Sequence, residues 1–141
     1  MKYVIRVLPV LYMGLIWLLS SMPSDAVVEL PAEGIDAFIK ESLHLVEFGL
    51  LYLLLFLAGL TFGGFRPVMS FVFMGVAILW GLVDEIHQSF VPARSATVID
   101  FVKDTIGVLV VSHFMHHAYF SGKFKRLGDW LRKFESLFAV R

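Results

Sequence analysis

Apolar residues run through this chain in four long stretches, separated by short polar breaks. A helix needs about 20 apolar residues to cross the hydrocarbon of a bilayer. The first stretch, Val4–Leu19, follows a short basic start, Met1–Arg6. It is similar to a signal peptide, but Leu19-Ser20-Ser21-Met22-Pro23 offers no small-x-small cleavage site, so it reads as an uncleaved span. The second, Leu43–Gly64, would extend about 33 Å as a helix. Gly63-Gly64-Phe65-Arg66-Pro67 then makes a tight turn. Val68–Phe90 is the third, polar in its last turns, and Val91-Pro92-Ala93-Arg94 breaks it. Ala96–Met115 is the fourth, polar in its first half.

The remainder follows a different rule. Phe124, Leu127, Leu131, Phe134, Leu137 and Phe138 recur at helical spacing, with Lys125, Arg126, Arg132 and Lys133 on the other faces. That pattern suits a helix lying on a membrane surface with snorkelling basic residues, or one docked on a partner. The expected fold is therefore all-α: a four-helix transmembrane bundle over residues 1–120 and a C-terminal interfacial amphipathic helix in a cytoplasmic tail over residues 121–141.

Composition agrees with the pattern. Hydrophobic residues make up 58% of the 141 and charged ones 17%, against about 45–50% and 25% in soluble domains. Mean hydropathy is +0.79. The length suits one domain, and a polytopic membrane protein fits better than a soluble one with a large core. Without cysteine there is no disulfide framework, thiolate nucleophile or Cys-based metal site. Net charge is zero, so only its distribution informs. Lys2, Arg6, Arg66 and the tail carry most of the basic charge. Residues 21–42 carry Lys40 beside Asp25, Glu29, Glu33, Asp36 and Glu41. The positive-inside rule then makes both termini cytoplasmic and turns residues 21–42 and 90–96 outward.

This topology gathers the polar residues at one depth near the outer leaflet. Lys40, His44 and Glu47 form a stripe on the second span. Trp80, Gly81, Asp84, His87 and Gln88 form another on the third, with Glu85 on its shoulder. Thr97, Asp100, Asp104 and Gly107 form a third, beside Lys103. Ala77, Gly81 and Gly107 permit close helix approach. Polar stripes facing lipid are unfavourable, so these should face one another around a wet pocket that Arg94 could close. Catalytic candidates are His44, Glu47, Asp84, Glu85, His87, Gln88, Asp100 and Asp104; Arg94, Lys40 and Lys103 would bind substrate. A divalent metal would find Asp84, His87, Asp100 and Asp104. His113, His116 and His117 have metal-compatible spacing but read as exposed groups at the cytoplasmic end. Tyr12, Trp17 and Tyr52 read as packing or interfacial aromatics. No phosphate loop, nucleophile elbow or basic groove for nucleic acid is present in the sequence.

The run Asp84-Glu85-Ile86-His87-Gln88-Ser89-Phe90-Val91-Pro92-Ala93-Arg94, followed by Asp100, Asp104 and Gly107, resembles the signature of the VanZ-like family of small bacterial membrane proteins. His44, Glu47 and Phe48 are similar to its upstream His-x-x-Glu-aromatic pattern, so the likeness covers residues 40–110. Ala93 stands where the family usually has Gly, and Glu41 where a Lys often precedes the His, with Lys40 adjacent. The resemblance implies a link to resistance against teicoplanin-type glycopeptides, which act on wall precursors outside the membrane; it implies no established reaction. Asp100 and Asp104 are also similar to half of the metal motif of CDP-alcohol phosphotransferases, whose upstream Asp-x-x-Asp-Gly is missing here. Three readings stay open. One is an enzyme acting on an envelope lipid or lipid-linked cell-wall precursor, with His87 or His44 as base. Another is a non-catalytic binder of a head group or partner protein. The third is a proton or ion transporter, disfavoured by a cytoplasmic half that reads as dry.

Overall fold

The computed structural model describes residues 1–22, 33–92 and 96–139, with the side chains of residues 33–41 and 44 outside that description. Five helices occur among the described residues and no strand: α1 Lys2–Ser20, α2 Glu33–Leu60, α3 Pro67–Gln88, α4 Val98–Phe120 and α5 Lys125–Phe138. Two of them, Lys2–Ser20 and Pro67–Gln88, are long and apolar enough to cross a membrane.

The boundaries follow local chemistry. Gly63 and Gly64 turn the chain at φ 74° and 64°, values that glycine adopts without a Cβ penalty. Pro67 then opens α3 at its first position, where its missing N–H costs nothing. Thr97 caps α4: its hydroxyl oxygen accepts from the Asp100 N–H at 3.1 Å. Hydropathy marked the stretches that could cross hydrocarbon, not the full helices. So α2 begins at Glu33 rather than Leu43, and α4 runs on to Phe120 rather than Met115.

Helices α1–α4 pack alongside one another, each antiparallel to the next in sequence. Arg6 on α1 donates to the hydroxyl and carbonyl of Thr61, just past the end of α2, at 2.8 Å each. At the other end of α1, Ser20 and Ser21 meet Gln88 and His87 of α3. The parallel pair α2 and α4 forms the most extensive interface. A Cβ on Gly107 would collide with the carbonyl oxygen of Leu45, so only glycine lets these two backbones approach as they do. Phe48, Leu51, Tyr52, Phe56 and Val108 are fully buried along this seam. Near the termini the core is aromatic: Phe56 meets Phe65 edge-on at 4.7 Å, and Phe65 packs on Tyr119 and Phe120.

The exterior is inverted relative to a soluble protein. Leu11, Phe71, Leu79, Val98 and Ile99 are exposed, while Asp84, Glu85, Gln88 and Asp104 are buried.

Helix α5 turns much of its apolar face onto the bundle. Leu131 is fully buried; Phe124, Leu127 and Phe134 pack against the core; Leu137 stays exposed. Gly128 rests on the Ala118 carbonyl with no room for a Cβ. Tyr119 donates to the Glu135 carboxylate at 2.5 Å. Burial, that hydrogen bond and the neighbouring negative charge all hold the Tyr119 hydroxyl well above the ordinary tyrosine range.

Candidate functional site

The polar end of the bundle is built mainly by α3 and α4. Gly81, Asp84, Glu85 and Gln88 are buried on α3, and Asp104 and Gly107 on α4. Asp84 is 1% exposed and Asp104 2%. Gln88 Nε2 donates to Asp84 Oδ2 at 2.6 Å, an i to i+4 pair that ties the end of α3 together. Asp84 Oδ1 has no hydrogen-bond partner among the described residues. Asp104 packs against Gly81: a Cβ there would lie 3.5 Å from the Asp104 Cβ and from the Phe48 ring of α2. Gly81 lies one helical turn before Asp84, so Asp84 and Asp104 share one α3–α4 seam. Glu47, on α2, is half-buried and within electrostatic range of Tyr12 on α1. Glu47, Glu85 and Asp104 are all partnered.

Carboxylates buried at this density require donors, positive charge or a bound cation. Gln88 provides one donor. Lys40, Glu41, His44, Ala93 and Arg94, all singled out in the sequence, lie outside the described side chains. Among the described residues, no three His, Asp or Glu side chains converge closely enough to hold a metal ion.

Two residues of the expected stripes turn elsewhere. Asp100 is engaged locally: Thr97 donates to it at 2.6 Å and Lys103 Nζ lies 3.4 Å from it. A carboxylate in the first turn of a helix also meets the positive end of the helix dipole. His87 stacks on Trp17 of α1 with centroids 3.8 Å apart, and its Nε2 lies 2.9 Å from the Ser21 hydroxyl. The third helix face therefore divides, with Asp84 and Gln88 in the seam and His87 against α1.

Helix α1 is what the stripe argument missed. Its last turn supplies Trp17 and Ser20, its C-cap supplies Ser21, and Gln88 Nε2 lies 3.4 Å from Ser20 Oγ. A pair of serines closing an apolar run was the available signal. The opposite end holds a second polar group, also unforeseen: the Tyr52 hydroxyl, Ser70 Oγ at 2.7 Å and His116 Nδ1 at 3.2 Å from Ser70 form a chain across α2, α3 and α4. Ser70, set among apolar residues in the first half of α3, was its sequence mark.

Fold and site together define a small all-helical protein with an apolar exterior and an acidic seam buried at one end. The chain belongs to the VanZ/LLP1 family, whose family model matches residues 6–117. The match takes in nearly all of α1 to α4, beyond the 40–110 core of the signature, and leaves α5 outside. No curated protein and no solved structure matches the chain.

Proposed function

We propose that this chain is a four-span protein of the bacterial cytoplasmic membrane, with both termini cytoplasmic, whose acidic end faces outward. There it engages the head group of an envelope lipid or lipid-linked cell-wall precursor. The observation that carries this reading is the burial of Asp84, Glu85, Gln88 and Asp104 at one end of a bundle with an apolar surface. Intramembrane ionisable groups are costly and are kept where they meet a ligand, an ion or one another. In this account the seam carboxylates take the cationic part of a head group or a divalent cation. Arg94, Lys40 and Lys103 take phosphate or carboxylate. Glycopeptide resistance of the teicoplanin type would follow from altering a precursor or access to it.

Chemistry at the site would fall to His87 or His44 as general base, with Asp84, Glu85, Asp100 and Asp104 orienting it. A non-catalytic accessory role is the second reading. It is favoured by the engagement of Asp100 with its own cap and by the turning of His87 onto Trp17, away from the seam.

Purified protein incubated with bacterial lipid extracts, with and without chelator, separates these by mass spectrometry of the lipids. A new product lost on chelation and in His87→Ala supports the enzyme. Unchanged lipids with saturable head-group retention, lost in Asp104→Asn, support the binder. Neither product nor retention would sink the proposal.

A further inference from the structure

At the end of the bundle opposite the acidic seam, α3 and α4 part around a cleft of about 470 Å³. Its polar lining is Ser70, Ser112, His113, His116 and His117. Phe71, Met74 and Leu109 make the rest, and among the described residues no carboxylate lines it. We propose that this cleft is a second ligand site, for the phosphate group of an anionic phospholipid, separate from the acidic end and independent of its function.

Ser70 and Ser112 are engaged within the bundle, so the free hydrogen-bonding capacity lies on the imidazoles. The hydroxyl chain from Tyr52 through Ser70 to His116 Nδ1 fixes that imidazole, and His116 Nε2 has no partner among the described residues. His117 is held the same way, with Ser121 Oγ 3.2 Å from its Nδ1. His113 lies 4.5 Å from His117 between ring centroids and has no hydrogen-bond partner among the described residues. Two ring nitrogens anchored by hydroxyls present the other two to a ligand, an arrangement that costs little further side-chain ordering.

Charge selects the sign of the ligand. Lys123 lies within electrostatic range of His117. Ser70 stands in the first turn of α3, where the helix dipole favours an anion. A serine hydroxyl that donates to Nδ1 leaves the proton on Nε2, and in that tautomer His116 and His117 offer N–H donors to an anion. The apolar part of the cleft selects an amphiphile over a free ion. Phe71 is 56% exposed and Leu109 46%, so an acyl chain can lie along the α3–α4 groove while its phosphate meets the imidazoles.

The full chain in detergent can be titrated with short-chain phosphatidylglycerol while the imidazole resonances are followed by NMR. Phosphatidylcholine of the same chain length and inorganic phosphate serve as comparisons. Saturable shifts of His113, His116 and His117 are expected with phosphatidylglycerol. In the surface variant His113→Gln/His117→Gln, affinity should fall about tenfold with the fold intact. Equal response to phosphatidylcholine would overturn the site, as would unchanged affinity in the double variant. Equal saturation by inorganic phosphate would overturn its lipid assignment. The readout touches only the far end of the bundle, so its failure leaves the acidic-end proposal standing.

Discussion

Asp84 and Gly107 show how single residues hold this structure together for different reasons. Asp84 accepts from Gln88 within a wall of buried groups. Replacing it by Ala would leave Gln88 Nε2 with the longer 3.4 Å contact to Ser20 Oγ, and losing a hydrogen bond to a charged group costs about 1.5–3 kcal/mol. Asp84→Asn keeps an acceptor and should cost less; thermal unfolding in detergent would rank the two. Gly107 acts through space alone. Gly107→Ala drives a Cβ into the Leu45 carbonyl and forces α2 from α4. A loss of about 1–3 kcal/mol is expected in the same assay, as for overpacked cores. An unchanged unfolding temperature would mean the helices are not held as closely as described. At this scale the sequence was informative wherever helix periodicity alone decides the face: Gly81, Asp84, Gln88, Asp104 and Gly107 all turn inward. It was less so for Asp100 and His87, whose positions depend on a cap and on a neighbouring tryptophan that periodicity does not register.

Helix α5 marks the limit of the same reasoning for an element. Its period shows that one face is apolar, but not what covers it. Much of the cover turns out to be α4 and the aromatic core. Tyr119 and Glu135 latch this contact and make it pH-dependent. The Tyr119 hydroxyl is raised in the folded protein above its unfolded value of about 10. Its contribution is therefore complete below that value and is lost as pH rises through the folded one. Hydrogen-exchange protection in α5, taken relative to the intrinsic base-catalysed rate at each pH, should hold from neutral pH to about 10 and fall above it. Tyr119→Phe should expose α5 already at neutral pH, by about 1.5–3 kcal/mol, the range for one hydrogen bond to a charged group. Protection that ignores both pH and the substitution would show that the latch carries nothing. Helix α1 teaches the complementary lesson. Its apolar body was legible as a span, but its contribution of Trp17, Ser20 and Ser21 to the polar end arises only from packing beside α3.

For the whole molecule, the order of helices and the inversion of polar and apolar surface were readable because both follow from where hydrophobic stretches start and stop. Two helices could span a membrane by length and composition, and the chain's family is that of VanZ/LLP1. The proposal rests on one further step, the direction in which the bundle sits. If the acidic end faces outward, its carboxylates meet head groups at the outer face of the membrane; if inward, they do not. The chain has no cysteine, so one introduced thiol reports one position. Phe90, just past α3 at the acidic end, is 81% exposed, and Lys125 at the opposite end is exposed as well. In intact cells, a membrane-impermeant maleimide should label Phe90→Cys and leave Lys125→Cys unmodified until the membrane is opened. Labelling of Lys125→Cys alone would place the acidic seam inside the cell and contradict the account.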